Sequence, residues 1–179
     1  MSLSGIVFYV GRAIALAVPL TLVIYGLRRL VLRKKTLPRR REALVLLFIL
    51  YGTALIAITA IRDGRHLLDW WTVPHTAESI QLIPILETLK QGRAGAWYLI
   101  YPVVGNLAWF VPLGFLLRLL RPESGVGRAA IYALAVSVGI EILQWLLLSG
   151  ISDIDDVIFN VLGGILGWVL AGAVPSQGR

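Results

Sequence analysis

The chain has 179 residues, 58% of them hydrophobic and only 15% charged, with a mean hydropathy of +0.80. Soluble domains run nearer half apolar and a quarter charged, so this composition excludes an ordinary soluble fold. It points to a single membrane domain over residues 1–179, with room for about four to six spans. The absence of cysteine excludes disulfides and thiolate metal sites.

The first apolar segment starts at Leu3 or at Ala13, because Arg12 interrupts it, and runs to Leu27. No small-residue cleavage site follows before the basic run, so an uncleaved anchor is expected rather than a signal peptide. Arg28, Arg29, Arg33, Lys34, Lys35, Arg39, Arg40 and Arg41 come next, 8 of the 17 basic side chains. This run accounts for much of the net charge of +7. Its place beside apolar segments is the positive-inside signature of a cytoplasmic loop, and no nucleic-acid partner is expected.

The second span covers Ala43–Ile61. A long loop from Arg62 to Tyr98 then balances four basic against four acidic side chains. Its Trp70 and Trp71, with Trp97, Tyr98 and Tyr101, read as an aromatic belt at the membrane interface, and a short amphipathic helix is expected between Pro74 and Pro84. The third span covers Leu99–Leu120, with Pro102 in its first turn and Pro112 inside it. Arg118, Arg121 and Arg128 mark the following loop as cytoplasmic. The fourth span covers Ala129–Leu148 and the fifth Ile154–Val174. The sequence therefore predicts an all-α bundle of five transmembrane helices, with the N-terminus outside and the C-terminus in the cytoplasm.

Within these spans lie groups that hydrocarbon does not tolerate alone. Asn106, Glu141 and Asn160 each fall about six or seven residues from the outer end of a different helix, roughly 8–11 Å deep at ~1.5 Å per residue. Glu141 and Gln144 share one helix face, as do Asp156 and Asn160. Asp153, Asp156, Asn160, Gly163 or Gly164, Gly167 and Ala171 form a small or polar stripe. Its Gly163-x-x-x-Gly167 spacing suits close helix packing, within the chain or in a homodimer. Asp155 faces elsewhere, as a cap or toward solvent.

Two readings of this constellation stay open. Asn106, Gln144 and Asn160 could be interhelical hydrogen bonds worth about 0.6 kcal/mol each. Alternatively Asn106, Glu141, Gln144, Asp153, Asp156 and Asn160 line an outward-facing pocket for a polar headgroup, cation or proton, with Trp70 and Trp71 at its rim. The cost of Glu141 in a span favours the pocket. Arg12 lies at a similar depth and is a candidate partner for Glu141. No cofactor is expected. Asp153, Asp155, Asp156 and Glu141 offer oxygen ligands for a divalent cation, with His66 and His75 as further donors, yet their spacing matches no metal motif. No catalytic residue is identified, since Ser149 and Ser152 have no nearby His to activate them.

The sequence Leu82-Ile83-Pro84 followed by Gly105-Asn106-Leu107-Ala108-Trp109-Phe110-Val111-Pro112-Leu113-Gly114-Phe115 resembles one block of the VanZ-like membrane proteins. Glu141-x-x-Gln144, then Asp153-Ile154-Asp155-Asp156-x-x-x-Asn160-x-x-Gly163-Gly164-x-x-Gly167, resembles the second block. The resemblance covers a core of residues 80–168. It departs from the family pattern at Ser149-Gly150-Ile151-Ser152, where relatives carry an arginine. It implies a multi-pass protein of the bacterial inner (cytoplasmic) membrane that serves the cell envelope. It also implies a contribution to resistance to the glycopeptide teicoplanin; with the pocket, the expected function is binding of a lipid-linked envelope component or a lipoglycopeptide there. The alternatives are a membrane-embedded enzyme on a lipid-linked envelope substrate, with Glu141 or Asp156 as general acid/base, and a proton or cation conduit.

Overall fold

A computed structural model of the chain describes residues 3–32, 37–61, 72, 74, 80–85 and 95–174. Trp70, Trp71, His66 and His75 lie outside the described residues. Five helices dominate: α1 (Leu3–Val31), α2 (Arg39–Thr59), α3 (Ala96–Leu120), α4 (Val126–Leu146) and α5 (Ile154–Gly172). All five contain a segment long and apolar enough to cross a bilayer. The fold is thus the all-α multi-pass bundle that hydropathy predicts. The first helix takes the earlier of its two starts and runs through Arg12 and Pro19 without a break. The third begins three residues before Leu99, which moves Pro102 from the first turn into the helix.

Exposure separates the helices by role. Large apolar side chains such as Leu22, Ile131 and Leu162 stay exposed all round the bundle. That is costly in water and favourable against lipid tails, where apolar contact between helices brings no hydrophobic gain. The most buried span is α5, with 39% of its window covered against 17% for α1. It lies between α3 and α4, while α1 packs chiefly on α2 at the edge.

Small residues explain why α5 can take that central place. A Cβ on Gly163 would fall on the Leu107 carbonyl, one on Gly167 on the Val111 carbonyl, and one on Gly114 on the Gly164 carbonyl. The backbones of α3 and α5 are therefore in direct contact, and only glycine fits. The Gly163-x-x-x-Gly167 stripe is taken up by α3 of the same chain, the intramolecular of its two expected uses. Around this contact Leu55, Phe110, Leu113, Ala133 and Ile140 form the main apolar cluster. A second cluster of Ala13, Ala17 and Ala57 joins α1 to α2 beside the Thr21–Thr53 hydroxyl bond of 2.7 Å.

The described part of the long loop holds a short strand, β1 (Ile80–Gln81), parallel to β2 (Ser152–Asp153), with Ile80 opposite Ser152 and Gln81 opposite Asp153. At these residues strand pairing replaces the amphipathic helix expected before Pro84. The reason is local. The α4–α5 turn presents unpaired backbone groups, and Ile80–Gln81 satisfies them.

Candidate functional site

The site is assembled at the end of the bundle where α2 and α4 finish and α3 and α5 begin. How α4 stops decides much of its geometry. Leu148 adopts a left-handed conformation, φ 50°, so the Ser149 N–H returns to the Gln144 carbonyl (3.0 Å) and the Leu148 N–H to the Trp145 carbonyl (3.3 Å). This is the Schellman pattern, built here on leucine where glycine is usual. It throws Ser149 toward α2, and the Ser149 hydroxyl donates to the Ala60 carbonyl at 2.7 Å. Gln144 Nε2 donates to the Thr59 carbonyl at 3.2 Å. The last carbonyls of a helix have no partner within it, and Gln144 and Ser149 supply donors to two at the end of α2, those of Thr59 and Ala60.

The start of α5 is equally determined. Asp153 is its N-cap, accepting the Asp155 N–H at 2.9 Å. The Asp153 N–H in turn donates to Glu141 Oε2 at 2.9 Å, and the Ser152 hydroxyl also bonds Glu141. Asp155 is buried rather than solvent-facing or capping, and its Oδ1 accepts the Ile85 N–H at 2.5 Å. Ile85 holds φ 65°, a costly conformation for a β-branched residue, so the bond to Asp155 helps to fix a strained turn. The expectation for Asp155 fails because the loop folds back over the helix start, which helical periodicity does not report.

Between these supports lies a cavity of ≈ 20 Å³, room for about one water-sized group. Asn106, Glu141, Gln144, Asp156 and Asn160 line it, with Thr59. The apolar walls are Trp109, Phe110 and Ile140. The helices thus bring together five of the six residues expected in a pocket; the sixth, Asp153, sits just outside as the cap. Asn106 Nδ2 bonds Asp156 Oδ1 across the α3–α5 contact, and Asn160 Nδ2 donates to the buried Ser137 hydroxyl at 2.9 Å. Two acceptors lining the cavity, Gln144 Oε1 and Asn160 Oδ1, are buried with no hydrogen-bond partner. A buried amide oxygen without a donor costs about 1–3 kcal/mol.

Arg12 does not complete the site. Its guanidinium lies 5.8 Å from the Phe8 ring centroid, on the helix that packs at the edge of the bundle, and no ion pair joins it to Glu141 among the described residues. Nor, among those residues, does any group of three or more His, Asp or Glu side chains converge as metal ligands. The acids are instead divided between capping the helix, holding Ile85 and lining the cavity.

Sequence reasoning missed Ser137 and Thr59. Ser137 was within reach, because it stands four residues before Glu141 on the face that also carries Gln144. Thr59 contributes a main-chain carbonyl, for which side-chain patterns give no signal.

The chain is 37% identical over 70 residues to Protein VanZ of Enterococcus faecium, a stretch covering 39% of this chain and 44% of that protein. It therefore spans less than half the length of the curated relative it matches. No solved structure matches it. The VanZ/LLP1 family model matches residues 48–174. That is wider than the motif-bearing core of 80–168 and takes in the end of α2 that helps to build the site. By this match over most of its length, the chain belongs to the VanZ/LLP1 family.

Proposed function

We propose that this VanZ-family membrane protein binds a lipid-linked component of the bacterial cell envelope, or the membrane-inserted part of a lipoglycopeptide, at the cavity between α2, α3, α4 and α5, and so contributes to resistance to glycopeptides such as teicoplanin. The single observation that carries the reading is the pair of buried, unpartnered acceptors, Gln144 Oε1 and Asn160 Oδ1, beside two carboxylates in one cavity. Polar groups held only for helix packing would be expected to satisfy each other. These leave acceptors over, as a site for a hydrogen-bond donor does.

Charge supports a position for the cavity on the outer side of the inner membrane in this reading. Among the described residues, Arg28, Arg29, Arg39, Arg40, Arg41, Arg118, Arg121 and Arg128 gather at the opposite end of the bundle, which the positive-inside rule assigns to the cytoplasm. The test is teicoplanin susceptibility in a sensitive host expressing wild type, Glu141→Gln or Asp156→Asn at matched membrane levels. Protection by the wild type and its loss in both variants is the expected result. Equal protection by all three would remove the cavity from the function.

The alternative, an enzyme acting on a lipid-linked envelope substrate, draws on one specific observation: Glu141 and Asp156 face the same small cavity from different helices. Two carboxylates so placed can divide acid and base roles. That reading requires turnover of a lipid-linked substrate that disappears in Glu141→Gln.

A further inference from the structure

The cavity is small, and the polar atoms of its lining that are buried without a partner are both acceptors. Asn106 and Gln144 direct their amide N–H groups to Asp156 and to the Thr59 carbonyl, and Asn160 directs its own to Ser137. Each of these NH₂ groups so spends one of its two N–H donors, and what stays buried without any partner is acceptor capacity: Gln144 Oε1 and Asn160 Oδ1, beside the spare lone pairs of Glu141 and Asp156. Asn160 is 4% exposed, so its free oxygen cannot turn to bulk solvent. Among the described residues no basic side chain lines the cavity, and the ion pairs all lie elsewhere. Of the apolar walls, Trp109 and Phe110 are aromatic and Ile140 is aliphatic.

We infer that the cavity seats one primary ammonium group, held by Gln144 Oε1, Asn160 Oδ1 and the carboxylates of Glu141 and Asp156. The proposal rests on the ligand-site reading above and names the part of the ligand that enters. Four features select this chemistry. An R–NH₃⁺ group carries three donors and no acceptor, matching the two unpartnered amide oxygens and the two carboxylates. Its single positive charge offsets two carboxylates that would otherwise share a buried space uncompensated. Its head is about the size of a water molecule and fits ≈ 20 Å³. Aromatic walls suit an ammonium through cation–π attraction, whereas a hard metal ion would want oxygen on every side. A quaternary ammonium fails on size and on donors, and a phosphate or carboxylate would be repelled. The amine can belong to a lipid headgroup or to a soluble amine.

The experiment uses the full chain in phosphatidylcholine nanodiscs, with thermal unfolding followed in methylammonium chloride, tetramethylammonium chloride and sodium chloride at equal ionic strength. A saturable rise of a few °C with methylammonium alone is expected. Glu141→Gln and Asn160→Leu, each checked for wild-type helicity, should lose most of that rise. No shift, an equal shift in all three salts, a shift with sodium matching that with methylammonium, or a full shift in both variants would each overturn the proposal. Phosphatidylethanolamine nanodiscs identify the source. If the baseline rises and added methylammonium does nothing further, the headgroup is the occupant. If the methylammonium shift persists, the occupant is a soluble amine. The salt series is independent of antibiotic susceptibility. A protein that binds methylammonium yet protects equally well as Glu141→Gln keeps this inference and loses the proposed function. A protein that ignores methylammonium yet needs Glu141 for protection does the reverse.

Discussion

The two ends of the bundle hold polar groups in opposite ways. At the end formed by the α1–α2 and α3–α4 turns, the charges among the described residues are partnered or exposed. Glu42 accepts from Arg28 at 2.9 Å, from Arg29 at 3.4 Å and from the Tyr25 hydroxyl at 3.0 Å. Arg118 lies 3.8 Å from the centroid of the Trp168 ring, linking α3 to α5. Arg121 and Arg128 reach solvent. At the other end, among the described residues, Glu141 and Asp155 are buried, and Gln144 Oε1 and Asn160 Oδ1 beside the cavity are buried without a hydrogen-bond partner. A membrane protein gains orientation and packing from the first arrangement. The second also braces the helix ends, and in the proposed function its unpartnered acceptors serve a ligand.

The sharpest way to break that contrast is to separate the helices that support the inward-facing end. Gly167→Val would drive a side chain into the Val111 carbonyl and the Phe115 backbone nitrogen. Neither can yield without moving α3, so a loss of at least about 3 kcal/mol is expected, read as failure to accumulate or as a fall in unfolding temperature of roughly 10 °C. Gly139→Ala is the control. A Cβ there meets nothing within 4 Å, and a gain of a few tenths of a kcal/mol is expected from better helix propensity.

Removing the acid at each end comes next in size. Glu141→Ala strips the Asp153 N–H and the Ser152 hydroxyl of their acceptor in a buried setting, which should cost about 1–3 kcal/mol. Glu42→Ala removes a more solvent-accessible network and should cost clearly less. Thermal unfolding of the two variants side by side checks the order. If Glu42→Ala proves the more damaging, the inward-facing end is not the structurally demanding one.

These outcomes bear on what the sequence disclosed. Five spans were legible because each segment is apolar over a bilayer's width. Asn106, Glu141, Gln144, Asp156 and Asn160 were legible because a polar residue in hydrocarbon is conspicuous, and helical periodicity then places it on a face. The glycine stripe on α5 was legible too, though not which helix fills it. What escaped depends on irregular backbone. The left-handed Leu148, the pairing of Ile80–Gln81 with Ser152–Asp153, and the strained Ile85 that turns Asp155 inward carry no repeat for a pattern to detect. Arg12 misled because a charge at the right depth says nothing about which neighbour its helix packs against.

The cap of α5 gives a smaller effect. Asp153→Ala removes the acceptor for the Asp155 N–H and should cost about 1 kcal/mol, whereas Asp153→Asn should cost little because asparagine caps as well. Since Asp153 meets Glu141 through its main-chain N–H, which alanine keeps, antibiotic protection should survive Asp153→Ala wherever the protein accumulates. Loss of protection at wild-type levels would move Asp153 from the cap into the ligand site.

Salt gives the smallest effect and separates the ends most cleanly. The Glu42 network is open to solvent, with Arg29 more than half exposed (53%). Raising ionic strength from about 0.01 to 1 M shortens the Debye length from roughly 30 to 3 Å. Screening should therefore weaken the wild-type network, and the difference in unfolding temperature between wild type and Glu42→Gln should shrink as salt is added. Glu141 makes its bonds to the Asp153 N–H and the Ser152 hydroxyl away from solvent. The difference between wild type and Glu141→Gln should stay constant in sodium chloride. If it shrinks as well, mobile ions reach Glu141 and the cavity is open to bulk water. Acceptors in such a cavity would already be hydrated, and the case for a guest would lose its physical basis.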